Sequence, residues 1–393
     1  MSNGLPERPN LRHLKGQARD LLKSGAAASL AEAQFSIARQ YGFPSWPKLK
    51  AHIESLEATG QLKDAIDRND LEAVKSLMTA RPELHRAAMG RRNNGPLTLA
   101  AEYRGPGAPP PQRLAIARWM IENGSDVHRG GDAPLMRAAL RGDRVPMMEL
   151  LVAHGADVNA QCNGDYPILF APCETVDPVA LKWLLDHGAN PNGPPGHRTT
   201  PLDYLIGSYL RSPQLGKCID LLAAAGGVSR YALPGVMELL RGRMDLLAEL
   251  LGAQPGLIHR RYAELDCGAS GARMLLLSGA TLLHVAAEYG NIDAARLLLD
   301  RGADVNARSD VNGQSPIFHS VTHWGENGTA MTRLLRERGA DLSVRATLPG
   351  HYERPGELVE CTPLGYALRF PGDDFPGANA TTIELLRELG ARE

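Results

Sequence analysis

Hydrophobic residues in this chain come in short leucine-rich runs that keep returning with the same polar punctuation. "ARWMI", "MELLV", "LKWLL", "ARLLL" and "TRLLR" each lead into a glycine-centred polar step. These steps read "ENGSDVH" (122–128), "AHGADVNA" (153–160), "DHGANPN" (186–192), "DRGADVNA" ending at Ala307, and "ERGADLSV" (337–344). A second apolar stretch then opens on a Pro-Leu or Leu-Leu pair, as in "APLMRAAL" (133–140), "TPLDYLI" (200–206), "TLLHVAAEYG" (281–290) and "TPLGYAL" (362–368). Helical spacing, a glycine stop and a proline start predict pairs of helices joined by tight turns. Gly124, Gly155 and Gly188 set a period in the low thirties, the size of a unit that must stack to bury its apolar face.

This pattern resembles the ankyrin repeat, whose units run G-x-TPLHxAA, then a leucine-rich helix, then GADVN. The clearest unit is Ser278–Ala307, "SGATLLHVAAEYGNIDAARLLLDRGADVNA", which has Leu282 where the family has proline. The resemblance extends from about Leu62 to the carboxyl terminus. It implies an all-α ankyrin-repeat solenoid of about nine helix-turn-helix units with β-hairpin-like connecting loops. The first unit is 62–85, and the others begin near Asn94, Gly131, Asn163, His197, Arg230, Ser278, Asn312 and Glu360. Unit 230–258 lacks the Gly-Ala-Asp signature. Thr281 or Ser315 is expected to cap an inner helix, with Pro201, Pro316 or Pro363 at its first position. Ala286 and Ala287 allow close packing, Leu297, Leu298 and Leu299 bury the outer helix, and Gly302 ends it in the left-handed conformation.

Residues 1–58 follow a different rhythm. Leu11, Leu14, Ala18, Leu21 and Leu22 share one helical face. Ser29 and Glu32 form a capping box for a second helix carrying Leu30, Ile37, Ala38 and Tyr41. Trp46, Leu49, Ile53 and Leu56 recur at helical spacing in a third. The ending "YGFPSWPKLKAH" resembles a short helical cap found before ankyrin arrays in bacterial proteins. The expected division is therefore a cap over 1–58 and an ankyrin-repeat domain over 59–393, with long hairpin insertions at 259–277 and 346–360. The cap carries eight Lys/Arg against five Asp/Glu without the arginine clustering of base readout, so capping is preferred to nucleic-acid binding.

Composition narrows the function further. The 393 residues have a formal net charge of −1, which does not suggest a nucleic-acid partner. No apolar run reaches the length of a membrane span, and the amino terminus lacks the core of a secretory signal. Five scattered cysteines without a C-x-x-C pair fit a cytoplasmic setting. No phosphate-binding loop, nucleophile elbow or dinucleotide fingerprint occurs, so neither cofactor nor metal is expected.

Candidate chemistry gathers in the last third. His284 stands at the histidine of the repeat pattern and is read as structural. His319 and His323 share a helical face, and Glu288, Glu353 or Cys361 has the right chemistry for a third ligand. An isolated H-x-x-x-H remains a weak metal motif, so partner-facing histidines are preferred. The stretch "LPGHYERPGELVECTP" (348–363) and the insertion 259–277 are expected to touch across the hairpin 308–314, gathering Arg260, Arg261, Tyr262, Asp266, Cys267, His351, Tyr352, Glu353 and Arg354.

Two functions follow. The first is a non-catalytic protein-protein interaction scaffold, binding a partner on its concave groove and hairpin loops. Its expected contacts are Tyr103, Asp266, Glu288, Tyr289, His319, His323, Trp324, His351, Tyr352, Glu353 and Arg354. Of these, Tyr103, Glu288, Tyr289, His323 and Trp324 are expected to be exposed near the ends of inner helices. The second is an enzyme or small-ligand receptor in repeats seven to nine, with His319 or His351 as base and Glu353 or Glu360 as acid.

Overall fold

The computed structural model describes residues 5–6, 9–89, 94–208, 210–268, 275–323, 327–350, 356–369, 377 and 379–393. Its contacts separate two units. Unit 1 holds residues 1–138, 146–157 and 162–164, and unit 2 holds 139–145, 158–161 and 165–393.

Unit 1 begins with three helices. Asn10 caps α1 (Leu11–Lys23) by accepting the Arg12 amide at 2.8 Å. The expected box opens α2 (Leu30–Gln40): Ser29 accepts the Glu32 amide at 3.1 Å, and the Glu32 carboxylate takes the amide of Ala28 at 2.7 Å. Leu14, Ala18, Ala33 and Ile37 close a core with Leu49 and Ile53 of α3 (Trp46–Asp67). Leu22 and Leu56, expected on apolar faces, are 38% and 44% exposed because the buried stripe is narrower than the apolar one. Position 58/59 falls inside α3, whose second half buries Leu62, Ala65 and Ile66 and packs on α4 (Leu71–Ala80).

Next in unit 1, α5 (Pro96–Ala101) packs on α6 (Pro111–Glu122) and α7 (Arg129–Ala138). Gly130, Gly131 and Asp132 at the start of α7 have positive φ, which for Asp132 (57°) is sterically costly. Buried Asp132 holds that turn by accepting from the His128 ring at 2.8 Å and the Asp157 amide at 3.1 Å. The following helix, α8 (Val145–Ala153), lies almost wholly in the same unit.

Unit 2 continues the alternation of short inner and longer outer helices. The inner ones are α9 (Phe170–Thr175), α11 (Pro201–Gly207), α13 (Val236–Leu240), α15 (Leu282–Glu288), α17 (Pro316–Ser320) and α19 (Pro363–Arg369). The outer ones are α10 (Pro178–Asp186), α12 (Leu215–Ala224), α14 (Met244–Ala253), α16 (Ile292–Asp300), α18 (Asn327–Glu337) and α20 (Ala380–Glu388). Every residue of α15 and α17 is buried, whereas on α16 full burial falls on Ala294, Ala295 and Leu298, with Leu297 and Leu299 only half-buried. Gly302 ends α16 at φ 90°, as expected. Thr200 caps α11 through the Asp203 amide at 3.1 Å, but Ser315 does not cap α17, and its hydroxyl has no partner among the described residues.

Within unit 2 the asparagines of the polar steps stitch one repeat to the next. Asn159, Asn192 and Asn306 each donate to the carbonyl of the glycine after the following outer helix, Gly188, Gly226 or Gly339, at 3.0–3.1 Å. Each side-chain oxygen also accepts an amide two residues further on, from Asn190, Val228 or Asp341, at 2.8–2.9 Å. Asn306→Ala should therefore lower stability by about 1–2 kcal/mol in denaturant titration, the worth of two partly solvated hydrogen bonds.

The described residues of both insertions are held by strand pairing. Strands Ala346–Pro349 and Leu358–Cys361 pair antiparallel, with Ala346 opposite Cys361 and Pro349 opposite Leu358. In the other insertion Tyr262 bridges Ala280, and its ring is fully buried with the hydroxyl donating to the Pro234 carbonyl at 2.7 Å. Tyr262 and Cys267 are thus interior residues and not part of a projecting polar cluster, because Tyr262 packs beside the start of the short α13 and Cys267 lies against Tyr289 and Arg211. The two bases are anchored on the hairpin between them. Arg261 pairs with Asp310 at 3.2 Å and donates to the Arg308 carbonyl, while Arg308 donates to the carbonyl of Arg345.

Candidate functional site

The densest polar arrangement in unit 2 lies between α15 and α17. Glu288, at the end of α15, is 1% exposed. One carboxylate oxygen accepts from Arg211 Nη2 at 2.6 Å and Nε at 3.2 Å. The other accepts from His319 Nδ1 at 2.8 Å. Arg211 also donates to the Ser208 carbonyl and lies 4.4 Å from the centre of the Tyr289 ring. Burial alone lowers the pKa of Arg211, but the facing Glu288 carboxylate reverses this and leaves it raised.

His284 stands edge-on to His319, with ring centres 5.7 Å apart. Its Nδ1 accepts the Thr281 amide at 3.2 Å, so the ring proton sits on Nε2, which donates to the Gln314 carbonyl at 3.1 Å. Burial, reinforced by the neighbouring His319, pushes the pKa of His284 down to about 3. His323 donates from Nε2 to the Ala287 carbonyl at 2.8 Å. The Tyr289 hydroxyl donates to the Ile206 carbonyl at 2.7 Å. Burial raises the Cys267 thiol to about 12, so it is a poor nucleophile at neutral pH.

Several expected contacts are therefore interior. Glu288, His319 and His323 were expected to face a partner, but they are at most 4% exposed, and Tyr289 is half-buried. The end of α15 meets α17 and Arg211 instead of solvent, and the charges there neutralise one another. Asp266 is 55% exposed, accepts the Tyr231 hydroxyl at 2.6 Å and pairs with Arg230 at 3.0 Å. Tyr103, in unit 1, is half-buried beneath the Arg113 guanidinium at 5.4 Å. Trp324, His351, Tyr352, Glu353 and Arg354 lie outside the described residues.

As an acid-base pair, His319 and Glu360 occupy opposite environments. His319 is fully buried, while the Glu360 side chain is 65% exposed and sits 3.6 Å from Arg345. No cluster of three metal-ligating side chains occurs among the described residues. Two open depressions of about 260 and 270 Å³ border Tyr289 and Pro167 respectively, and neither is lined by His319 or Glu360.

A second cluster was not anticipated. Phe170 and Tyr204 stack with centres 4.2 Å apart and planes 16° apart. Tyr166 meets Tyr204 at 89°, and His197 meets Phe170 edge-on. The Tyr166 and Tyr204 hydroxyls both donate to Glu174, at 2.7 and 3.3 Å. Burial first, then the neighbouring Tyr204 phenol and the negative Glu174, raise the Tyr166 pKa far above its usual range. Tyr166, His197 and Tyr204 remain half-exposed. A signal was available in the sequence, because Phe170 and Tyr204 each stand three residues after a proline, Pro167 and Pro201, though only Pro201 opens a helix.

The family model described as "Ankyrin repeats" matches residues 62–162, 112–195 and 240–346. The putative ankyrin repeat protein FPV022 of Fowlpox virus (strain NVSL) is 24% identical over 270 residues, 66% of this chain and 44% of that protein. SH3 and multiple ankyrin repeat domains protein 2 of Homo sapiens is 28% identical over 204 residues, 50% of this chain and 10% of that protein. The B-cell lymphoma 3 protein homolog of Mus musculus is 44% identical over 62 residues, 15% of this chain and 14% of that protein. The chain thus spans less than half the length of these relatives. The crystal structure of the human ASB11 ankyrin repeat domain overlaps 63% of this chain and 99% of its own, with a TM-score of 0.37 and 22% identity.

Proposed function

The chain belongs to the ankyrin-repeat family, and from that premise we propose that it is a non-catalytic scaffold binding a protein partner on its inner helices and hairpin turns. Ankyrin repeats generally mediate protein-protein interaction. The observation that carries the reading here is the half-exposed corner of Tyr166, Tyr204 and His197 over Glu174. Phe, Trp and Tyr make up only 5% of the chain, yet three of them meet, with the His197 ring, beside the inner helices α9 and α11. Rigid amphipathic rings of this kind serve as anchors in protein interfaces.

The catalytic reading has no comparable support. Its described base and acid are separated into core and surface, and each core histidine commits one nitrogen to an inter-repeat bond, while His319 Nε2 is buried without a partner among the described residues. No helix among the described residues is long and apolar enough to cross a membrane. The five cysteines are free and buried, which suits a reducing compartment and supports a cytoplasmic assignment. Residues 1–58 fit the role of a cap, since they hold a core of their own and α3, which begins in it, runs on to pack against α4 and α5.

Affinity capture from host lysate tests the scaffold reading by comparing the full chain with Tyr204→Ala. A protein partner retained by the parent should fall at least roughly tenfold with the variant, as for an interface anchor. Undiminished capture by a variant of unchanged circular dichroism would move the contact surface elsewhere. Capture of a small molecule alone would overturn the scaffold.

A further inference from the structure

The open depression of about 260 Å³ beside Tyr289 lies where α13 stops. This helix has five residues where α11 and α15 have seven, and the chain turns beyond it at Gly242 with φ 69°. Three segments of unit 2 line the depression: residues 212–213 and 215–217 at the start of α12, 239–242 at the end of α13, and 289–291 after α15. Its walls are fixed by close contacts. A β-carbon on Gly216 would lie 2.7 Å from the Arg241 carbonyl oxygen, so only glycine lets these two walls approach. Asn291 donates to the Leu239 carbonyl at 3.1 Å and accepts the Ala294 amide at 2.9 Å.

Charge in the depression is one-sided. Its lining contains two cations, Lys217 and Arg241, and no carboxylate. Arg241 gives its Nε to Asp220 at 2.6 Å, but Asp220 also takes Arg243 at 3.1 Å, so one carboxylate serves two guanidinium groups. The Nη atoms of Arg241 have no hydrogen-bond partner among the described residues, and its side chain is 33% exposed. Exposed Lys217 has neither a hydrogen bond nor an ion pair among them. Arg211, over the Tyr289 ring, is neutralised by Glu288 and adds no net charge. A concave place lined by cations of one sign raises the local concentration of anions.

We propose that this depression receives an acidic side chain, aspartate or glutamate, of a protein partner. It is a second contact point, apart from the aromatic corner, and it rests on the scaffold reading because its occupant belongs to a protein. Arg241 offers two Nη donors to the incoming carboxylate, and Lys217 adds a point charge. Size favours a side chain over a free metabolite. Small-molecule sites hold roughly 300–1,000 Å³ and surround most of their ligand, whereas this depression is smaller and open.

Fluorescence anisotropy at low ionic strength tests this with a labelled, capped peptide of alternating Glu and Gly, against its Gln–Gly counterpart, on the full chain. Saturable binding of the acidic peptide alone is expected. Lys217→Glu should weaken it about tenfold or more, and Arg241→Lys, which keeps the charge beside Asp220 but loses the fork, about threefold or more. Arg296→Glu makes the same charge change on the exposed side of α16 and should weaken it less than about twofold. Equal weakening by Lys217→Glu and Arg296→Glu would trace the attraction to overall charge and reject the site. Capped glutamate binding as tightly as the peptide would assign the depression to a free acid and overturn the partner assignment. Absence of acidic-peptide binding beyond the Gln–Gly control also rejects it, while partner capture sensitive to Tyr204→Ala would still uphold the scaffold.

Discussion

Glu288→Gln is expected to lower the stability of unit 2 by about 3–5 kcal/mol, the usual cost of breaking a buried ion pair from one side. The substitution preserves shape but removes the charge opposite Arg211, whose side chain is only 9% exposed. It also leaves His319 Nδ1 facing an amide in place of a carboxylate. Urea unfolding followed by far-UV circular dichroism reads the loss directly. Joining Arg211→Met to Glu288→Leu should recover much of it, because both charges then leave the interior together. A loss below about 1 kcal/mol would show the pair to be solvated, as surface pairs are.

Acid should weaken the same region. His284 has a pKa near 3 in the folded chain, against about 6.5 for an unfolded histidine. Between those values the unfolded chain binds a proton that the folded chain refuses. Stability is therefore complete above about pH 6.5 and falls as the pH drops, by about 2 kcal/mol at pH 5 from this one ring. Buried His85 of unit 1, also shifted downward by burial, acts in the same direction. Urea midpoints taken from pH 7.5 to 5 should decline, and His284→Gln should flatten the slope while lowering stability at pH 7. Midpoints independent of pH over that range would contradict the buried neutral ring.

What was legible in the sequence was local. Helix pairs, glycine stops, proline starts and the Ser29–Glu32 box depend on residues a few positions apart, and they stand where the pattern placed them. The role of His284 was likewise legible, since its partners Thr281 and Gln314 belong to the repeat geometry. Glu288 and His319 were singled out, but their exposure was misjudged. A charged residue at the end of an inner helix resembles a surface position until its counter-charge is known, and that counter-charge is 77 residues away on Arg211. The corner at Phe170 and Tyr204 escaped notice for a different reason: aromatic side chains at equivalent repeat positions meet only once the register of stacking is in hand.

Arg211 and Tyr289 also change how the stack holds together. The inner helix between their elements, α13, is a five-residue turn, and the chain on either side reaches past it. Arg211, following α11, grips the end of α15, and Tyr289 returns a bond to Ile206, 83 residues earlier. In an ideal linear repeat array each unit feels only its immediate neighbours, so a poor unit is a natural place for the array to part. Here the coupling is between second neighbours, and the poor unit is spanned. Its opening is tied energetically to rupture of an ion pair that lies outside it. The segment from α11 to α15 therefore behaves as one cooperative block in local unfolding, with the least regular repeat protected at its centre.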